Sequence, residues 1–91
     1  MTTTHLTALL TRLDALNGVS AALSSGSELI VEANGRKVCH WVPDGAQLTG
    51  AFSCEAAKLC ADTVDEAYRL TVARILSAHL LPFGGPHVNF P

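Results

Sequence analysis

The residues able to do chemistry in this 91-residue chain are three cysteines, four histidines and a scatter of carboxylates. Cys39, Cys54 and Cys60, with His5, His40, His79 and His87, are the raw material of a zinc site or of a thiolate activated by an imidazole. Their spacing builds neither. Cys39 and His40 are adjacent in a segment that reads as a strand, so they point to opposite faces and cannot grip one metal ion there. Cys54 and Cys60 are six positions apart, about 240° around a helix axis. No pair shows the Cys-x2–4-Cys or His-x3–5-His spacing of a structural zinc site. A Cys–His dyad can be assembled from remote positions by the fold alone, so a small Cys/His-dependent enzyme or thiol protein stands as the alternative from the catalytic class. The plainer reading makes Cys60 a small core residue and His40 a core or boundary histidine. No catalytic residue, metal ligand or cofactor is assigned.

The carboxylates and glycines are explained structurally. Asp65 and Glu66 follow Thr63 in the first turn of an expected helix, where negative charge offsets free amides and the helix dipole. Gly84-Gly85 has no strand before it and no helix after it, so it is not a phosphate loop.

The elements that must position these residues follow from periodicity. Leu6, Leu9, Leu10, Leu13 and Leu16 form one apolar stripe at helical spacing, with Thr3 or Thr4 as its cap and Asn17-Gly18 at its end. Residues 19–24, 28–33 and 36–42 alternate as strands, the first two joined through Ser25-Gly26-Ser27 and the last two through Asn34-Gly35. Pro43-Asp44-Gly45 is expected to stop the third strand, with 46–51 a loop. A short helix is expected over 52–61, then a longer one from the Thr63-Val64-Asp65-Glu66 capping box to Leu81, as two helices or one bent one. Its stripe is Val64, Tyr68, Val72, Ile75 and Leu76, and Pro82 ends it. The expected fold is α+β and two-layered: a helix, a three-stranded antiparallel sheet, and one or two C-terminal helices. It forms a single domain over 1–82, followed by an extended apolar Gly/Pro-containing tail over 83–91. The α-β-β-β-α order is similar to that of double-stranded-RNA-binding domains. Residues 53–62, however, carry Glu55 and Asp62 against a single Lys58, the wrong sign for phosphate contacts.

The Asn34-Gly35 turn predicts a register in which Ala33 faces Arg36, Glu32 faces Lys37, Val31 faces Val38, Ile30 faces Cys39, Leu29 faces His40 and Glu28 faces Trp41. Leu29, Val31, Ala33, Val38, His40 and Val42 then form the core side. Glu28, Ile30, Glu32, Lys37, Cys39 and Trp41 form the other, and three of those six are not solvent residues. Trp41 is the single tryptophan, a residue type enriched at interface hot spots. Ile30, Cys39 and Trp41, rimmed by Glu28, Glu32 and Lys37, are therefore the expected partner-binding residues, with Phe83 and Phe90 of the tail as further contacts. The bland alternative folds the tail or the short helix over that face.

Whole-chain quantities favour the same class. A core this small supplies roughly 3–5 kcal/mol of net stability, so help from a partner or second copy is unsurprising. Hydrophobic residues at 48% against charged residues at 15% place the chain on the associating side of soluble proteins. A net charge of −2 with six scattered basic residues argues against a polyanion partner. No apolar run is long enough to span a membrane, and Arg12 and Asp14 interrupt the N-terminal stretch that a signal peptide would need. The expectation is a cytoplasmic, non-enzymatic protein-interaction module, forming a homo-oligomer or binding another protein. Small inhibitors, adaptors and immunity-type proteins, of the kind phages and mobile elements carry, fit this description. A structural subunit of a larger assembly is a further alternative.

Overall fold

The leucine stripe forms α1 (Thr3–Asp14), whose Leu6, Leu9 and Leu13 are fully buried while Leu10 and Leu16 pack at its margin. Thr2 rather than Thr3 or Thr4 is the N-cap; its N–H donates to His5 Nδ1 at 3.1 Å. The computed structural model describes residues 2–25, 27–53 and 55–78. After α1 come β1 (Val19–Ser24), β2 (Glu28–Ala33), β3 (Arg36–Asp44), β4 (Gln47–Phe52), β5 (Leu59–Ala61) and α2 (Val64–Ser77). The strands form one antiparallel sheet in the order β1-β2-β3-β4-β5. The class is α+β, as periodicity implies, but the sheet has five strands instead of three.

The two extra strands replace the expected loop over 46–51 and the expected helix over 52–61. Leu48, Gly50 and Phe52 alternate at period two, and they pair with β3 at Pro43, Trp41 and Cys39. Phe52 and Leu59 fit helical spacing too, but the second edge of β3, and then the outer edge of β4 that pairs Gly50 with Leu59, carries a row of backbone groups that needs partners. Pro43 does not stop β3. Pairing with β2 ends at Trp41, so the missing N–H of Pro43 can face the side without a neighbouring strand. The chain reverses instead at Gly45-Ala46, between the paired Asp44 and Gln47, with Gly45 at φ 62°.

The Asn34-Gly35 turn has positive φ at both positions (53° and 78°), as a type I′ hairpin demands. The first two cross-strand pairs, Ala33–Arg36 and Glu32–Lys37, are those the turn predicts. Beyond them a β-bulge intervenes: Val31 pairs with Cys39, and Val38 is left as the extra residue. That single insertion exchanges the faces of the rest of β3. Cys39 and Trp41 join Leu29 and Val31 on the core side, while His40 and Val42 move to the face of Ile30.

Both helices cover the Trp41 side. α1 packs over β1–β3 and α2 over β3–β5, and the two helices touch through Arg12, which reaches Asp65 at 3.1 Å and lies 4.0 Å from the Tyr68 ring centroid. α2 opens at Thr63, whose side chain accepts from the Glu66 N–H at 3.0 Å. Glu66 reaches back to the Asp62 N–H at 2.7 Å. The buried line of α2 is Ala67, Thr71 and Ile75, with Val64, Tyr68, Val72 and Leu76 flanking it. One hydrophobic core results, centred on Trp41. Its Nε1–H donates to Thr71 Oγ1 at 2.9 Å, and the Thr71 hydroxyl in turn donates to the Ala67 carbonyl at 2.8 Å. Phe52 meets the indole edge-on, with ring centroids 5.7 Å apart. Gly50 lies opposite, where a Cβ would come within 2.8 Å of the ring; glycine is the residue that lets the indole lie flat on β4.

Candidate functional site

Antiparallel sheets packed on one side normally turn polar residues outward. The outward face here is mixed. Ala22, Ile30, His40 and Ala51 form one cross-strand row, and Val42, Thr49 and Cys60 lie in the next. Ile30, His40, Val42 and Ala51 are half-buried and Thr49 is buried, although both helices pack against the opposite side of the sheet. Polar groups ring this centre. Glu28 is half-buried, while Glu32, Lys37 and Asp44 are exposed. Thr49 donates to Asp44 Oδ2 at 3.0 Å, which ties the hairpin end of β3 to the face.

His40 carries the polarity at the middle. Its Nδ1 has no solvent contact and no hydrogen bond, and the nearest charge is a Glu28 carboxylate oxygen at 3.5 Å. That separation suits ion pairing of a protonated ring but is long for a hydrogen bond.

The residues assigned to partner binding from sequence therefore separate. Ile30, Glu28, Glu32 and Lys37 share the open face as expected. Cys39 and Trp41 do not: both are completely buried under α2, a correction that follows from the bulge at Val38. His40 and Val42, read as core, take their places outside. Phe83 and Phe90 lie outside the described residues. Ala22, Ala51 and Cys60 were not legible as part of the face, because that required knowing which strands are neighbours. The bulge did leave a trace in the sequence. Val38 and Cys39 are consecutive apolar residues where strict alternation allows one, and Trp41 keeps step with Cys39.

The same geometry bears on the thiol chemistry. Cys39 sits in the core beside Thr71 and Trp41, and burial pushes its thiol up to about 12 despite those hydrogen bonds and the nearby Lys37 charge. A thiol so held is a poor nucleophile at neutral pH. Cys60 is exposed on β5, on the same face as His40, but β4 runs between them. Two strand spacings put roughly 10 Å between their positions, well beyond proton-transfer reach. Among the described residues no group of three His, Cys, Asp or Glu side chains is gathered around a possible metal position, and no helix is long and apolar enough to cross a membrane. Comparison of the chain with family models, curated proteins and solved structures finds no match.

Proposed function

We propose that the protein is a non-enzymatic protein-interaction module, an inhibitor, adaptor or immunity-type protein, that binds through the open face of its sheet. Ile30, His40, Val42 and Ala51 form the contact centre, and Glu28, Glu32 and Lys37 form the rim. The observation that carries this reading is the one-sided packing. Both helices lie over the Trp41 side, which leaves the other face of the five-stranded sheet, where Ile30, Val42 and Ala51 surround His40, without a helix over it. A largely apolar centre within a charged rim is the anatomy of a protein contact surface. The partner is a second copy of the chain or another protein, met in the cytoplasm, where Cys39 and Cys60 stay reduced.

Ile30→Glu and Val42→Glu test the proposal. Both side chains are half-buried on the outer face, so each substitution is expected to shift unfolding free energy by no more than about 1 kcal/mol. Each places a charge where a partner would have to desolvate it. Light scattering should find an oligomer that both variants split, or a monomer whose partner complex both variants abolish. If both variants fold and every self-association and partner complex survives unchanged, the face is not the interface and the proposal fails.

A further inference from the structure

The charges on the open face are sorted along the strands. Glu32 and Lys37 form the cross-strand row next to the Asn34-Gly35 turn. The row of Ile30, His40 and Ala51 follows, and Lys58 extends it one register step before the Gly50–Leu59 pair. Glu28 stands in the third row, one step beyond the Leu29–Trp41 pair and level with Val42. Asp44, paired with Gln47, closes the far end, where the Gln47 side-chain amide donates to Asp62 Oδ1 at 2.6 Å. Among the described residues, both lysines of the face therefore lie in the half near the Asn34-Gly35 turn, with Glu32 as the acid beside them. Glu28, Asp44 and Asp62 lie in the other half with no base among them. Lys37, Lys58, Asp44 and Asp62 are all exposed, and neither lysine joins an ion pair among the described residues.

We propose that the open face binds the same face of a second copy, in a two-fold dimer whose axis lies between the two sheets and runs across the strands, level with the gap between His40 and Val42. The proposal rests on the reading of this face as a contact surface and adds its occupant and geometry. Symmetry and charge decide the arrangement together. An axis across the strands reverses their direction but keeps β3 over β3 and β5 over β5. Lys37 and Asp44, at opposite ends of the outward side of β3, then meet as Lys37 against the partner's Asp44, twice by symmetry. Lys58 likewise comes within reach of the partner's Asp62. An axis along the strands would instead set the carboxylate end of one copy on the carboxylate end of the other, and like charges brought together oppose docking. A foreign protein would need its own complementary pattern, whereas a second copy brings it by rotation. Ile30, Val42 and Ala51 fall at the centre of this contact and the ion pairs at its wet rim. A face about 20 Å on a side is smaller than a standard interface, so the dimer is reversible and forms with concentration.

Sedimentation equilibrium of the full chain at low salt, from micromolar to millimolar concentration, measures the dimer Kd. Lys37→Asp and Asp44→Lys are changes at exposed positions that circular dichroism should show to be folded. Each brings like charges together at both symmetric pairs and should raise Kd about tenfold. The double variant K37D/D44K restores opposite charges and should return to within about threefold of the unaltered chain. An equal mixture of the two single variants should do the same, because opposite charges face each other only in the mixed dimer. Weakening by the single variants with no recovery in the double variant or the mixture overturns the pairing of Lys37 with Asp44. A chain that stays monomeric up to about 1 mM overturns the second copy as occupant and leaves the contact-surface reading standing, with another protein as partner. A dimer that Ile30→Glu splits but charge reversal leaves unchanged overturns the arrangement alone. A dimer indifferent to Ile30→Glu overturns both the arrangement and the face.

Discussion

Trp41 sets the terms at the scale of single residues. It is completely buried, its one polar atom is satisfied by Thr71, and the backbone of β4 gives way to it only because position 50 has no side chain. Gly50→Ala is therefore expected to cost about 1–3 kcal/mol, through overpacking of the indole. Trp41→Leu removes the ring and the donor to Thr71 Oγ1, which keeps its own hydrogen bond to the Ala67 carbonyl, at about 3 kcal/mol. The two effects are not independent. In the Trp41→Leu background the added methyl has room, and the cost of Gly50→Ala should fall by more than 1 kcal/mol. Urea unfolding of the two single variants and the double variant measures the coupling. Strict additivity would mean that Gly50 is needed for its backbone and not for the indole.

At the scale of elements, the junction between β5 and α2 is closed by local hydrogen bonds. Thr63 takes the N–H of Glu66, and Glu66 takes the N–H of Asp62, so two backbone donors are satisfied where the chain changes from strand to helix. Thr63→Ala should lower stability by about 1 kcal/mol, with Thr63→Ser restoring most of it, as read from thermal or urea unfolding. Asp14 serves the opposite edge of the sheet. Its Oδ1 accepts from the Ala21 N–H at 3.3 Å, occupying a donor on the free side of β1 that a strand from another chain could otherwise use. The long edge strand is thus partly blocked to pairing with a strand from another chain.

At the scale of the whole molecule, the helices divide the sheet into a core side and an outer side, and the two sides age differently with pH. On the core side the Cys39 thiol is held protonated, because no solvent is there to receive its charge; its ordinary value of 9.0 is pushed up to about 12. The folded state then binds the proton that the unfolded state releases, so the contribution is fully present below pH 9 and lost as pH rises toward 12. Within that window Cys39 should subtract about 1.4 kcal/mol of stability per pH unit. Chemical denaturation at several alkaline pH values checks it, with Cys39→Ala as the reference. That variant starts less stable because of its cavity but should show a flatter alkaline slope. Equal slopes in the two proteins would mean that other groups drive the alkaline loss.

Much of this molecule is legible in its sequence because much of it is local. The leucine spacing of α1, the Asn34-Gly35 turn with its first two pairs, the extents of β1 and β2 and the Thr63 cap each depend on a few neighbouring residues, and each was readable there. Ile30, Glu28, Glu32 and Lys37 share a face for the same reason, since period two holds along any one strand. What the tertiary structure alone decided is where that period slips and which element an ambiguous stretch joins. The bulge at Val38 lets Cys39 and Trp41 turn inward beneath α2, a burial worth more than regular pairing, and it moves His40 and Val42 outward in exchange. Residues 47–52 became a strand because β3 offered an unpaired edge, and residues 59–61 because β4 in turn offered its own, attractions that act only once the neighbouring strand is in place. Both decisions turn on contacts between residues far apart in the chain, and no periodicity within a segment records its neighbours in space.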